Sequence, residues 1–170
     1  MAATCLLIFS GCCKVVPSHG GDEPSEAPAN SDNTLISITS NGETTLPYLY
    51  WLWGSSWTGK GFVEADALQL IYTLPDIAQE LPIVSYHDDF MVQYQEGVSF
   101  SYMSIYDDSF ERLYHIASYD DKDYLSYLED LPKGTYYIAI AVAERGKYIE
   151  SENKYEYSGT DCVFKLVVEQ

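Results

Sequence analysis

Apolar and polar residues alternate along most of the chain after about residue 34. Such alternation places the apolar side chains on one face of an extended strand, so it predicts β-strands that cover a core. Turn-forming residues separate many short segments of this kind, which predicts an antiparallel β-sandwich of about seven or eight strands. The clearest segments are residues 46–53, 90–94, 98–102, 135–143 and 155–168.

Two places are expected to hold short helical turns. Pro75 followed by polar residues up to Glu80 predicts the first, because proline suits the first turn of a helix. The spacing of Tyr124, Leu128 and Leu131 predicts the second. Residues 67–74 alternate and are expected to form a strand. A parallel sheet would need longer crossover helices, so the predicted fold class is all-β.

The amino-terminal residues differ in kind from the rest. The short apolar run CLLIF at residues 5–9 is followed by Ser10, Gly11 and Cys12. This pattern resembles the signal of bacterial lipoproteins, which is cut before the cysteine. The resemblance implies a signal peptide at residues 1–11 and a lipid on Cys12, which would anchor an exported protein to the outer membrane on its periplasmic or cell-surface side. The alternative is an apolar amino terminus whose cysteines occur by chance.

The expected signal peptide is short, and no Lys or Arg precedes its apolar run. The expected explanation is a true start upstream of Met1. Residues 14–33 are rich in proline, glycine and small polar residues and contain no aromatic residue. Such a composition buries too little apolar surface to fold, so residues 12–33 are predicted to be a disordered tether and residues 34–170 a single domain.

The carboxyl-terminal part carries a second resemblance. The segment LEDLPKGTYY at residues 128–137 and the strand FKLVV at residues 164–168 are similar to the last strands of immunoglobulin-like domains in Bacteroidetes lipoproteins. The resemblance implies an immunoglobulin-like sandwich in which the Tyr136 hydroxyl bonds back across a corner. Such families often have no assigned function, and the resemblance implies no catalytic residue. Cys162 shares a strand face with apolar residues and is expected to be buried.

Composition limits the partners. The chain has 9 Lys and Arg against 26 Asp and Glu, a net charge of −17, and the acids are dispersed among 46% hydrophobic residues. Such a charge repels nucleic-acid phosphates, so nucleic acid is not an expected partner. The segment GSSWTGKG at residues 54–61 has the spacing of a phosphate-binding loop, but glycine follows Lys60 where that loop needs Ser or Thr. We interpret it as a loop between strands.

Acid pairs lie beside aromatic residues at residues 88–89, 107–108 and 120–123. Carboxylates in loops can hold calcium, but the spacing of an EF-hand is missing and aspartate is common in solvated turns. The interpretation is therefore three turns, with no metal and no cofactor. His19, His87 and His115 show no metal-binding spacing, and no Gly-x-Ser-x-Gly motif occurs. The protein is not expected to be an enzyme, and no catalytic residue is assigned.

The stretch YLYWLWGSSW at residues 48–57 contains every tryptophan of the chain. In a regular strand Leu49, Trp51 and Trp53 share one face, and Tyr48 and Tyr50 share the other. Trp51 is assigned to the core, which leaves Tyr48, Tyr50 and Trp57 as a candidate flat surface for sugar rings. The alternative is that the tether or the hairpin at residues 144–154 covers these rings.

The sequence therefore predicts a lipid-anchored binding module of the cell envelope, with glycan as the expected ligand class. A structural or protein-interaction domain of an envelope assembly or adhesin is the alternative. A glycan-active hydrolase, acting through a pair of acids that faces across a cleft, is the third possibility.

Overall fold

Two β-sheets share the main hydrophobic core. The structure, a computed structural model, describes residues 34–117 and 123–169, which belong to one unit of the chain. The small sheet is antiparallel, with the strand order β2-β1-β6. Its strands are β1 Ile36–Ser40, β2 Glu43–Thr45 and β6 Met91–Tyr94.

The large sheet has the order β4-β3-β10-β9-β7-β8, and β5 adds to β10 in parallel. Its strands are β3 Tyr48–Trp57, β4 Phe62–Asp66, β5 Ile83–Ser85, β7 Val98–Tyr106, β8 Arg112–Ala117, β9 Gly134–Ile149 and β10 Lys154–Val168. Two helices, α1 Leu70–Ile77 and α2 Ser126–Glu129, complete the described part. The all-β, sandwich-like prediction is confirmed, with more strands than expected because β2 and β5 are only three residues long. An immunoglobulin-like identity stays a prediction.

The long strand β10 is buried on both faces. Cys162 and Phe164 point toward the small sheet and join the main core, and we call this side the sandwich face. Val163 points the other way and packs against Leu70 and Leu74 of α1, and we call this side the helix face. Alternation along β10 therefore divides its side chains between two separate cores.

Helix α1 replaces the strand predicted for residues 67–74. Leu70, Leu74 and Ala78 are buried at four-residue spacing, the period of one side of a helix. Leu68 and Tyr72, which a strand would have placed beside Leu70, are 60% and 67% exposed. The predicted strand was wrong because a helix lets Leu70, Leu74 and Ala78 pack together against the apolar residues on the helix face of the large sheet.

A bulge in β3 changes the expected faces of the tryptophans. Trp51 pairs with Thr160 and Trp53 pairs with Gly159, so the ladder skips Leu52. Adjacent residues of β10 point to opposite faces, and Trp51 and Trp53 therefore lie on opposite sides of the sheet. Trp51 is on the sandwich face but is 44% exposed. Its predicted burial was wrong because, among the described residues, the main core contains no residue of β3.

Two local predictions near the carboxyl terminus are confirmed. The Tyr136 hydroxyl donates to the carbonyl oxygen of Pro132 at 2.8 Å. Cys162 has no solvent exposure, and burial raises the pKa of its thiol to about 12. Both features belong to the two long central strands, where the sequence alternation was clearest.

Candidate functional site

The tyrosines of the candidate sugar surface lie under a helix. Tyr48 pairs with Val163 and Tyr50 pairs with Asp161, which places both rings on the helix face. Both are partly buried against the apolar cluster of α1, and the Tyr50 hydroxyl donates to the carbonyl oxygen of Leu68 at 2.6 Å. The sequence left open whether these rings are exposed or covered, and the structure shows both of them partly covered. Among the described residues, the cover is α1 and the segment before it rather than the hairpin at residues 144–154.

Trp57 lies apart from these tyrosines, at the end of β3. Its ring is partly exposed and packs against Phe62 of β4, with ring centroids 5.5 Å apart. Its backbone N–H donates to Oε1 of Glu156 at 2.7 Å. The structure therefore does not join Tyr48, Tyr50 and Trp57 into one flat surface.

Another group of aromatic rings is exposed on the outer half of the β9–β10 hairpin and on β3. We call this group the aromatic surface. Tyr148 and Tyr155 have ring centroids 4.8 Å apart, and Tyr155 and Tyr157 6.4 Å apart. Trp53 lies over Gly159, two residues from Tyr157 on the same face of β10. The exposed fractions are 39% for Trp53, 41% for Tyr148, 36% for Tyr155 and 39% for Tyr157.

Polar groups surround the aromatic surface. The guanidinium carbon of Arg145 lies 4.8 Å from the centroid of the Tyr155 ring, and the Tyr148 hydroxyl donates to Oδ1 of Asn153 at 2.6 Å. A shallow cavity of about 330 Å³ adjoins these rings. It is lined by Ser55, Phe62, Glu64, Asn153, Lys154, Tyr155 and Tyr157. Exposed rings thus stand beside amide, carboxylate and ammonium groups.

A second cavity, of about 280 Å³, lies on the helix face where α1 meets β3, β7, β8 and β10. Its floor holds the buried side chains of Ser104, Tyr106 and Asp161. Its rim holds the exposed residues Gln69, Ile71, Arg112 and His115. The remaining lining residues are Leu52, Leu70 and Tyr102. We call it the Asp161 cavity.

Asp161 is the unusual group of this cavity. Its side chain is 2% exposed, and burial raises the pKa of its carboxyl to about 7, although a hydrogen bond from Tyr102 acts in the opposite direction. Among the protein atoms of the described ranges, Oδ1 has no hydrogen-bond partner. Burial, and then the charge of Asp161, raise the pKa of the Tyr102 hydroxyl in turn. A buried carboxyl with one unsatisfied oxygen is costly, and such groups concentrate at functional sites.

Ser104 and His115 form a hydrogen-bonded pair beside Asp161. Ser104 Oγ lies 2.9 Å from Nδ1 of His115, and the His115 ring lies 4.8 Å from the ring of Tyr102, centroid to centroid. Ser104 is 1% exposed, which is poor access for a nucleophile. The pair fixes the imidazole at the rim of the cavity, an arrangement that suits binding better than acyl transfer.

The acid pairs stabilise turns where the structure describes them. The Asp89 carboxylate accepts from the N–H groups of Asn41 and Gly42 at 2.6 and 2.8 Å, and these bonds lower its pKa. Asp107 Oδ1 accepts from the N–H groups of Ser109 and Glu111, each at 2.9 Å. Residues 120–122 lie outside the described residues. Within residues 34–117 and 123–169, no group of three or more His, Cys, Asp or Glu is placed to hold a metal ion.

The predicted lipidation at Cys12, the signal peptide at residues 1–11 and the tether at residues 12–33 also lie outside the described residues. Among the helices that the structure describes, none has the length and apolarity to span a bilayer.

Sequence reasoning missed both the aromatic surface and the Asp161 cavity. The signal for Asp161 was an acid at the start of the mostly apolar segment DCVFKLVV, on the same strand face as Val163. The signal for the aromatic surface was the tyrosine-rich segment KYIESENKYEY at residues 147–157. Comparison of the chain with protein-family models, curated proteins and solved structures finds no match. The function must therefore be argued from these two sites.

Proposed function

We propose that this domain is a carbohydrate-binding module of the cell envelope that holds a neutral glycan on its aromatic surface. One observation carries the proposal: Tyr148, Tyr155 and Tyr157 lie side by side, and each exposes more than a third of its surface. Trp53, which is 39% exposed, lies over Gly159 on the same face of the sheet. Grouped exposed aromatic rings on a soluble domain usually mark a binding site.

Sugar rings match this surface chemically. The C–H faces of a pyranose are apolar and stack on aromatic rings, whereas its hydroxyls need hydrogen-bond partners at the edge. Asn153, Glu64 and Lys154 line the adjacent cavity and can provide such partners. The net charge of −17 disfavours acidic polysaccharides, so the glycan is neutral.

The proposed location follows from the resemblance of the amino terminus to lipoprotein signals. A lipid on Cys12 would anchor the protein to the outer membrane, with residues 12–33 as the tether. In that position the domain would retain envelope or environmental glycans near the cell.

A protein-interaction domain is the second candidate function. It is favoured by Leu49 and Trp51, which are 43% and 44% exposed on the sandwich face beside the main core. Exposed apolar side chains of this kind can dock a neighbouring envelope protein. This patch lies on the opposite side of the sheet from Trp53, so the two candidates are separable by mutation.

The test is a glycan-array screen of the purified full chain in a detergent without a sugar headgroup. Tyr155→Ala and Tyr157→Ala are expected to lose binding without loss of folding. Tyr72→Ala, which removes a ring that is 67% exposed on α1, is the matched control and should bind normally. Trp51→Ala tests the opposite face.

Equal binding by the wild type and the tyrosine variants would contradict the proposal. Loss of binding in Trp51→Ala alone would move the site to the sandwich face. Turnover of a bound glycan would show a hydrolase instead.

A further inference from the structure

The Asp161 cavity contains a buried carboxyl whose hydrogen-bonding capacity the described protein groups satisfy only in part. Asp161 sits on a central strand, 2% exposed, and Oδ1 has no partner among the described protein atoms. An apolar residue at this position would pack against the same neighbours without the cost of burying a carboxyl. Burying the carboxyl therefore needs a compensating partner, and the cavity offers the space for one.

The shape of the cavity limits the size of that partner. At about 280 Å³ it is slightly smaller than the usual range for drug-sized ligands. The floor is formed by Ser104, Tyr106 and Asp161, whereas Gln69 and Arg112 stand exposed at the rim. A ligand of one small ring would reach the floor and still contact the rim.

The charges of the cavity limit the chemistry of the partner. Arg112 at the rim disfavours a cation, and Asp161 at the floor disfavours an anion. The polar groups of the lining include one carboxyl, two phenols, one hydroxyl, one imidazole and one guanidinium, from Asp161, Tyr102, Tyr106, Ser104, His115 and Arg112. A hydroxyl both donates and accepts hydrogen bonds, so a neutral polyhydroxylated ring satisfies this mixture best.

The cavity continues the aromatic surface along β10. Tyr157, Gly159 and Asp161 alternate on the helix face, and Trp53 lies over Gly159 between the other two. Alternate residues of a strand are about 6.5 Å apart. A glycan that stacks on Tyr157 and Trp53 can therefore extend along β10 so that its next sugar residue reaches the Asp161 cavity.

We infer that the Asp161 cavity binds one neutral sugar residue, whose hydroxyls donate to the Asp161 carboxylate and contact Arg112 at the rim. The inference rests on the proposed function, because the residue in the cavity would belong to the glycan on the aromatic surface. The Asp161 cavity would then determine the sugar specificity of the domain, because a buried carboxylate distinguishes sugars by the positions of their hydroxyls.

The experiment is a methyl NMR titration of the full chain in a detergent without a sugar headgroup, with neutral monosaccharides as probes. Leu52, Leu70 and Ile71 line the cavity and report on its occupation. We expect at least one monosaccharide to shift these methyls at millimolar concentration. Asp161→Asn, nearly identical in shape, should weaken that binding about tenfold through loss of a charged acceptor.

Arg112→Gln provides a second variant at an exposed position, in case Asp161→Asn does not fold, and should also weaken binding. Asp130→Asn, an exposed carboxylate that does not line the cavity, is the matched control and should bind like the wild type. Unchanged binding in both cavity variants would overturn the inference. Methyl shifts produced by ethanolamine, a small cation, but by no sugar would also overturn it.

The outcomes also separate the inference from the proposed function. Glycan binding that depends on Tyr157, with no monosaccharide shift at the cavity, would leave the proposed function standing and refute the inference. Monosaccharide binding at the cavity without any role of Tyr155 or Tyr157 would support the inference and refute the aromatic surface. Binding of no sugar by either route would refute both.

Discussion

Trp53 lies so close over Gly159 that a Cβ atom at residue 159 would come within 2.3 Å of the indole Nε1. The indole occupies the space above the strand because glycine leaves it free. This contact holds the ring on the helix face, between Tyr157 of the aromatic surface and the Asp161 cavity. The glycine at residue 159 of β10 therefore sets the position of the Trp53 ring on β3.

Gly159→Ala should displace the Trp53 indole. We expect the free energy of unfolding to fall by about 1–3 kcal/mol, the usual cost of overpacking, with a shift in tryptophan fluorescence and weaker glycan binding. Urea unfolding and fluorescence spectra measure both effects. Gly61→Ala is the control, because no atom lies within 4 Å of its would-be Cβ. Unchanged fluorescence in Gly159→Ala would show that the ring is not held by this contact.

Asp161 should make the domain less stable as the pH rises. The pKa of its carboxyl is about 7 in the folded domain, above the ordinary value of 3.8. The folded state therefore binds the proton more tightly than the unfolded state. This stabilisation is fully present below about pH 4 and is lost as the pH rises through 7. Relative to Asp161→Asn, the wild type should lose roughly 3 kcal/mol of unfolding free energy between pH 5 and pH 8.

Urea titrations of both proteins at the two pH values measure this difference. The neighbouring groups Tyr102, Arg112 and His115 are present in both proteins, so the comparison isolates the effect of the Asp161 carboxyl. A pH profile of the wild type parallel to that of Asp161→Asn would contradict the raised pKa.

Cys162 should be unreactive in the folded domain. It has no exposure, and burial raises the pKa of its thiol to about 12, so neither access nor thiolate is available. In a variant whose other cysteines are replaced by serine, a thiol reagent should modify Cys162 only at the rate of unfolding. Rapid modification without denaturant would contradict its burial. Cys162→Asp should cost about 3 kcal/mol or more, because it buries an unpaired charge.

Cys12 should carry the lipid anchor. Metabolic labelling with a fatty-acid analogue in a bacterial host is expected to mark the wild-type chain and to fail on Cys12→Ala. Cys13→Ala is the matched control and should be labelled normally. Equal labelling of all three chains would refute the assignment of Cys12.

The local sequence pattern predicted the parts of the fold that depend on near neighbours. Alternation in β9 and β10 correctly placed Cys162 in the core, because a regular strand repeats its faces every two residues. The bond from Tyr136 to Pro132 was implied by the resemblance of residues 128–137 to immunoglobulin-like domains, and it also joins near neighbours within one corner.

The faces of β3 and the nature of residues 70–77 depended on tertiary structure. A bulge at Leu52 arises from pairing with the distant strand β10, and it reverses the face of Trp53 relative to Trp51. The alternation at residues 67–74 also fits the four-residue spacing of a helix, and only the uncovered face of the large sheet decides between the two.

The sequence alone determined the all-β class, the acidic character and the resemblance to an exported lipoprotein, because these are properties of composition and local spacing. The tertiary structure decided where the candidate sites lie. The Asp161 cavity combines α1, β3, the β7–β8 hairpin and β10, which are far apart in the chain. The aromatic surface requires the Trp53 ring to lie over Gly159 of another strand. Long-range packing decides which sheet faces are covered and which stay exposed. The local periodicity of the sequence does not predict this.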